Sequence, residues 1–399
     1  MKDSIRWAAI IIILAATSLA SAQSWGPRNL EELKKETLLR ARDGKGPIGK
    51  VIMKDAERAV AAIHDLERDT WAAAWSRIGE DYLARAKASS SPQEARDNYY
   101  YAWRYFDIGR WPTEKHSPGK RKSYEKGLLA FREYGQLLDP PIEIVRFPFE
   151  DREIVAYLRI PDGIRPAPLV FGMNGLDSRK EGVMASSDAY IQNGVAAFAI
   201  DMPGTGQAPL LIDVGSERMF SAALDYLSAR PDIDATRIVV QGRSWSGYWA
   251  AVLAYTERDR ILGAAVHGVG IHHYYQPEWQ QTAIMSGEYL FDLFPARSVV
   301  YGVDNMEDFL AYGPKLSLVS RGLIDKPSAP MLLVNGEQDS QQPIADLYLL
   351  MKHGDPKLAW VNPVGGHMGR SAEWPDSRVQ AEVVRPWLMR QLGVEPKRH

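Results

Sequence analysis

The segment Val239-Val240-Gln241-Gly242-Arg243-Ser244-Trp245-Ser246-Gly247 constrains this chain most. β-Branched residues run into a small-residue turn, and an apolar helical run follows. A strand that hands over to a helix so abruptly needs small neighbours, because the two backbones nearly touch. The turn also holds its central residue, Ser244, strained at the tip of the strand with its hydroxyl presented. The commoner spacing has glycine at the fifth position. Here Ser246 stands there and Gly247 follows one place later. Serine is small enough for the site, so the departure is tolerable. Taken alone, the string also fits a Gly/Ser-rich helix start with no chemistry, so partners must be found elsewhere.

The surrounding pattern supplies a frame for that turn. After Asp139-Pro140-Pro141, strands alternate with helices. Residues 142–149 and 154–160 read as a hairpin pair. Buried strands are expected at 168–173, 195–200, 237–241, 261–269, 331–335 and 358–361, and helices at 183–193, 216–229 and from Trp245. Such alternation predicts an α/β fold, a mostly parallel sheet with helices on both faces. Upstream, aromatic and apolar residues recur at helical spacing: Trp71, Trp75, Ile78 and Tyr82, then Tyr99, Trp103 and Phe106, then Tyr124, Leu128 and Phe131. Breaks fall at Ser89-Ser90-Ser91-Pro92, where a serine is placed to cap a helix, and at Trp111-Pro112 and Ser117-Pro118-Gly119. Residues 23–139 are therefore expected to form an N-terminal helical domain and 140–399 the catalytic α/β domain.

The first 22 residues read as a targeting segment. Lys2 and Arg6 precede an apolar run from Trp7 to Ala16, and Ala20-Ser21-Ala22 has the small-x-small pattern of a signal-peptidase site. The run is short for a membrane span. A cleaved signal and a secreted or periplasmic protein are expected, with no stable membrane insertion afterwards.

A serine in this kind of turn is followed in chain order by an acid and then a histidine. Leu332-Leu333-Val334-Asn335-Gly336-Glu337-Gln338-Asp339 is a buried strand entering a polar loop. Asp339 is favoured over Glu337 as the acid, on loop position. Only His353, His367 and His399 lie further along. His353 ends a helix and His399 ends the chain. His367 follows a strand and the turn Pro363-Val364-Gly365-Gly366, which lets its ring fold back over Ser244. Ser244, Asp339 and His367 are the expected catalytic residues, with Asp339 orienting the ring and His367 moving the proton.

A tetrahedral intermediate needs backbone N–H donors. One is expected from Trp245 and one from Leu176, in the loop Asn174-Gly175-Leu176-Asp177-Ser178 after the third strand. Asp177 has two readings. It binds a substrate hydroxyl or protonates a leaving group, or it holds the loop together through Ser178 or Lys180.

Composition removes other classes. The sequence has no cysteine, which excludes disulfides, thiolate metal sites and a cysteine nucleophile. The net charge is -2 with no long basic block, so no nucleic-acid partner is expected. His267, His272, His273, Tyr274 and Tyr275 follow a strand that ends near the site. Adjacent histidines on a strand point to opposite faces, so pocket lining or packing is expected rather than a metal. Gly204-Thr205-Gly206 lacks a phosphate-loop lysine. No cofactor and no metal are expected; the partner is a small-molecule substrate.

The strings Asn174-Gly175-Leu176-Asp177-Ser178-Arg179-Lys180-Glu181, Gly242-Arg243-Ser244, Asn335-Gly336-Glu337-Gln338-Asp339 and Gly366-His367-Met368-Gly369-Arg370 resemble one branch of the α/β-hydrolases. That branch holds the dihydroxypseudooxynicotine hydrolases, fungal polyketide-shortening hydrolases and FrsA-like esterases. The resemblance implies an α/β-hydrolase fold, an N-terminal helical cap over the active site, a homodimer, and the same three catalytic residues. It also implies that Asp177 lies at the active site. Two chemistries follow: hydrolysis of a carboxylic ester through an acyl-enzyme, or hydrolytic cleavage of a C–C bond beside a ketone. A non-catalytic binding module on the same fold is the alternative from another class. Trp103, Tyr105 and Trp111 are examples of helical-domain side chains that could shape the pocket, and the sequence does not choose among them.

Overall fold

The protein is described by a computed structural model covering residues 28–353 and 357–395. The targeting segment and His399 lie outside these residues. The chain opens with five helices: α1 (Leu30–Asp43), α2 (Met53–Ala62), α3 (Arg68–Ala88), α4 (Pro92–Arg110) and α5 (Pro118–Gln136). Their starts follow from local chemistry. Asn29 and Glu32 form a capping box on α1. Ser91 and Ser117 cap α4 and α5, each with proline at the first helical position. The periodic aromatics form their common core, with Trp71, Trp75 and Ile78 of α3 packed among Trp103 and Phe106 of α4 and Phe131 of α5.

The sheet follows: β1 (Glu143–Phe149), β2 (Arg152–Arg159), β3 (Ala167–Met173), β4 (Ala196–Ile200), β5 (Ile233–Arg243), β6 (Ala264–His267), β7 (Met331–Gly336) and β8 (Lys357–Asn362). Among the described residues these form one eight-stranded sheet, ordered β1-β2-β4-β3-β5-β6-β7-β8. β1 and β2 make the expected hairpin, and β2 runs antiparallel to β4. From β4 to β8 all pairs are parallel. Strands buried on both faces explain why β3, β4 and β7 read as unbroken apolar runs.

Three elements differ from the sequence expectation. The helix expected at 183–193 is two short ones, Lys180–Met184 and Asp188–Ile191. The buried Arg159 donates to the Ser187 hydroxyl and the Asp188 carboxylate, and this anchors the break. The strand expected at 261–269 ends at His267, because Gly268 turns away at a φ of 100°. Residues 268–330, between β6 and β7, form an insertion with helices Pro277–Met285, Leu293–Tyr301 and Met306–Tyr312. It leans on the helical domain: Trp71 and Trp111 pack edge-on to Phe291, and Arg68 pairs with Asp292 at 2.7 Å.

Candidate active site

Ser244 sits between β5 and the helix Trp245–Thr256, at φ 53° and ψ −124°. This is the strained hand-over the sequence predicted. Its amide donates to the His267 carbonyl at 2.7 Å, which holds the turn against β6. A Cβ on Gly242 would stand 1.8 Å from the Ser246 carbonyl oxygen, and neither backbone can yield. Gly242→Ala is expected to cost about 3 kcal/mol or more in urea unfolding, as severe overpacking does. Ser246 is more than a tolerated substitute. It is fully buried, and its hydroxyl donates to the Asn174 carbonyl, tying the turn to the loop after β3.

The structure brings the three expected side chains together. The Ser244 hydroxyl lies 2.8 Å from His367 Nε2. His367 Nδ1 lies 3.0 Å from Asp339 Oδ2. Asp339 also accepts from the amides of Gln341, Gln342 and Met368. Burial alone would push its carboxyl up, but the adjacent imidazole and these donors hold it below the usual carboxylate range. Glu337, the other candidate acid, is exposed and accepts from the Tyr348 hydroxyl. His353 pairs with Asp325 at 2.7 Å, away from this group.

His267 supports the group from behind, a role its sequence context did not reveal. It is wholly buried, with Nε2 2.9 Å from the Met368 carbonyl and Nδ1 2.8 Å from the Gln380 amide nitrogen. Burial pushes its pKa down from 6.5 to about 4, so the folded protein keeps it neutral. The unfolded chain binds this proton first as pH falls. The stability His267 confers is complete above pH 6.5 and drains away toward pH 4, by up to about 3 kcal/mol. Urea midpoints measured from pH 7 to 4.5 should fall more steeply in the native protein than in His267→Gln.

Leu176 and Trp245 both line the cavity beside Ser244. Among the described residues neither amide donates to a protein acceptor, so both are free for an oxyanion. The loop passes very close: a Cβ on Gly175 would lie 2.9 Å from the Trp245 nitrogen. Arg179 fixes the loop by donating to the Leu176 and Ser178 carbonyls, both at 2.8 Å. Arg179 is itself buried against Glu114 of the helical domain at 2.6 Å. Burial opposes the Glu114 charge, but Arg179 and Arg110 outweigh it and bring its carboxyl down to about 2. The second Glu114 oxygen accepts from the Gly206 amide at 3.0 Å, so the Gly204-Thr205-Gly206 turn docks the helical domain.

Asp177 bonds to neither Ser178 nor Lys180. Ser178 accepts from the Asn174 amide, and Lys180 pairs with Asp201 and Glu181. Asp177 lines the cavity and accepts from the Trp111 indole at 3.3 Å. Trp111 is the one of the three helical-domain aromatics that reaches the cavity. Trp103 and Tyr105 lie in the helical core instead, where the Tyr105 hydroxyl donates to Asp55. Their helical period carried them inward, away from the pocket. The cavity measures about 100 Å³. Residues 268–330 add Tyr274, Tyr289, Leu293 and Arg297 to its wall, and the helical domain adds Arg40, Gly46 and Pro47.

The histidine pair lies outside the cavity: His272 is half-buried with Nδ1 2.7 Å from the Ser317 hydroxyl, and His273 is exposed. Asp346 accepts from the amides of Ile271, His272, His273 and Tyr274 and so shapes that turn. Among the described residues no group of three or more His, Asp or Glu side chains is placed to hold a metal ion.

A model of the FrsA-like esterases matches residues 45–362. The chain belongs to the FrsA-like esterase family. The matched span holds Ser244 and Asp339 and ends just before His367. The FrsA esterase of Vibrio cholerae serotype O1 strain O395 is 27% identical over 208 residues, 50% of this chain and 49% of the relative. That of Citrobacter koseri is 24% identical over 230 residues, 56% of each chain. The chain thus spans about half the length of the curated relatives it matches. Two solved structures share the fold. The 2,6-dihydroxy-pseudo-oxynicotine hydrolase aligns with a TM-score of 0.72 and 21% identity, over 90% of this chain and 97% of its own. AbyA5 aligns with a TM-score of 0.72 and 20% identity, over 93% and 96%. The FrsA-like chain therefore has the α/β-hydrolase fold.

Proposed function

We propose that this FrsA-like enzyme is a serine hydrolase of small carboxylic esters, working through Ser244, His367 and Asp339. One observation carries the reading: a continuous hydrogen-bonded path from Asp339 through His367 to a serine hydroxyl held at positive φ in a cavity. His367 takes the Ser244 proton as the oxygen attacks the ester carbonyl. The oxyanion is met by the Leu176 and Trp245 amides. Collapse expels the alcohol, which takes the proton from His367 and leaves an acyl-serine. Water, deprotonated by His367, then releases the acid and restores Ser244. The small cavity favours a short acyl group.

A second reading rests on Asp177. Its carboxyl faces the cavity and, among the described residues, bonds only to the Trp111 indole, which leaves the other oxygen free to carry a proton to a leaving carbon in C–C hydrolysis. Fluorophosphonate labelling with mass mapping tests the first reading: Ser244 should carry the adduct, and labelling elsewhere would reject it. Comparing Asp177→Asn on an aryl acetate and on a β-diketone tests the second; equal losses on both would reject it. Export by the N-terminal signal stays part of the proposal on the sequence of residues 1–22 alone, and N-terminal sequencing of the exported protein should begin at Gln23. Among the described residues no helix is long and apolar enough to cross a membrane.

A further inference from the structure

Three arginines line the active-site cavity: Arg40, Arg297 and Arg370. A buried guanidinium is costly unless a negative charge compensates it. Arg40 has that partner in Glu36, at 2.7 Å. Arg370 lies 4.0 Å from Glu288 and also donates to the His367 carbonyl. Arg297 is different. It is 3% exposed, the most enclosed of the three, and among the described residues no carboxylate lies within ion-pair distance of it.

Its partners are neutral. One terminal nitrogen donates to the Gln280 carboxamide oxygen at 2.8 Å and the other to that of Gln341 at 2.7 Å. Its Nε is buried with no acceptor among the described residues. The guanidinium sits 5.4 Å from the centre of the Tyr274 ring, which also lines the cavity. The two glutamines and the ring fix its plane and leave donors unused. An arginine held rigidly by neutral groups, with its charge uncompensated, is built to meet an anion brought from outside.

We infer that Arg297 is a carboxylate-binding residue, and that the preferred substrate is a short ester bearing a carboxylate. The inference rests on the esterase reading for the identity of the scissile bond, but not for the anion site. Asp177 lines the same cavity without pairing to Arg297, so its charge opposes an anionic ligand while it supplies an acceptor for a hydroxyl. The anion stands either on the acyl side or on the alcohol side of the ester. Arg297 is also bound to the Asp339 loop, because Gln341 donates its backbone amide to Asp339. A purely structural role through that link would depress all esters alike, and the test must separate the two.

The test uses two matched pairs. Monomethyl succinate is compared with methyl levulinate, and 3-acetoxypropionate with 4-acetoxy-2-butanone. The native enzyme should prefer the acid of at least one pair by tenfold or more in kcat/KM, and the preferred pair identifies which side carries the anion. Arg297→Gln should erase that ratio, and Arg297→Lys should restore part of it. Succinate binding to Ser244→Ala, followed by calorimetry, supplies a readout independent of turnover. It should weaken at least tenfold when Arg297→Gln is added and tighten when Asp177→Asn is added. Equal loss on both members of each pair, with succinate binding indifferent to Arg297, would overturn the inference and leave the esterase reading intact. Arg297-dependent succinate binding without cleavage of any ester would sink the esterase reading and leave the anion site standing.

Discussion

Ser244→Ala is expected to lower kcat on a good ester by about 10⁴- to 10⁶-fold with the fold intact. The substitution removes one oxygen, the one 2.8 Å from His367 Nε2, and leaves the turn, the loop and the cavity in place. Its effect on stability should be small, since a single hydrogen bond is worth about 1 kcal/mol. The residual rate should still exceed that in water, because the Leu176 and Trp245 amides remain. Adding His367→Ala should cost little more, since the two residues act as a unit. Steady-state kinetics with active-site titration checks this. A Ser244→Ala enzyme that kept a tenth of the native rate would reject the role proposed for the hydroxyl.

Glu114→Ala has the second largest expected effect, and it acts from the helical domain. The substitution leaves the Arg179 guanidinium buried without its carboxylate. Breaking a buried pair in this way costs about 3–5 kcal/mol. The damage also reaches the chemistry. Arg179 holds the Leu176 carbonyl, so a loosened Arg179 should misplace the adjacent amide proposed as an oxyanion donor. Loss of one such donor lowers kcat by about 10²- to 10³-fold. Urea unfolding and kcat on a neutral ester should therefore fall together. A destabilised variant with native kcat would show that the helical domain does not steer the loop. Glu114→Gln, which keeps an acceptor for Gly206, should lose less of both.

Much of the fold was legible because its signals are local. Helical aromatic spacing marked α3, α4 and α5, and serine–proline pairs marked two of their starts. Unbroken apolar runs marked the parallel strands, since a strand covered on both faces has no polar side to show. The order serine, acid, histidine narrowed the candidates to Ser244, Asp339 and His367, because parallel strands present their C-terminal ends to one edge of the sheet. What local signals carried poorly was the wall of the pocket. Trp103, Tyr105 and Trp111 look alike in sequence, yet only Trp111 faces the cavity. Trp103 and Tyr105 follow the helical period of α4 into the core, whereas Trp111 stands just past its end in extended backbone.

By itself, then, the sequence determined the alternation of strand and helix, the hand-over at Ser244 and the order of the three polar side chains. Each is written within a few residues, in backbone sterics or in a hydrophobic period. Only the tertiary structure decided that residues 268–330 wall the cavity, that Ser246 fastens the loop after β3, that Glu114 governs Arg179, and that Arg297 lines the cavity without a counter-charge among the described residues. These depend on partners distant along the chain. A buried charge has no signature until the fold shows what lies beside it, because its cost depends on its surroundings.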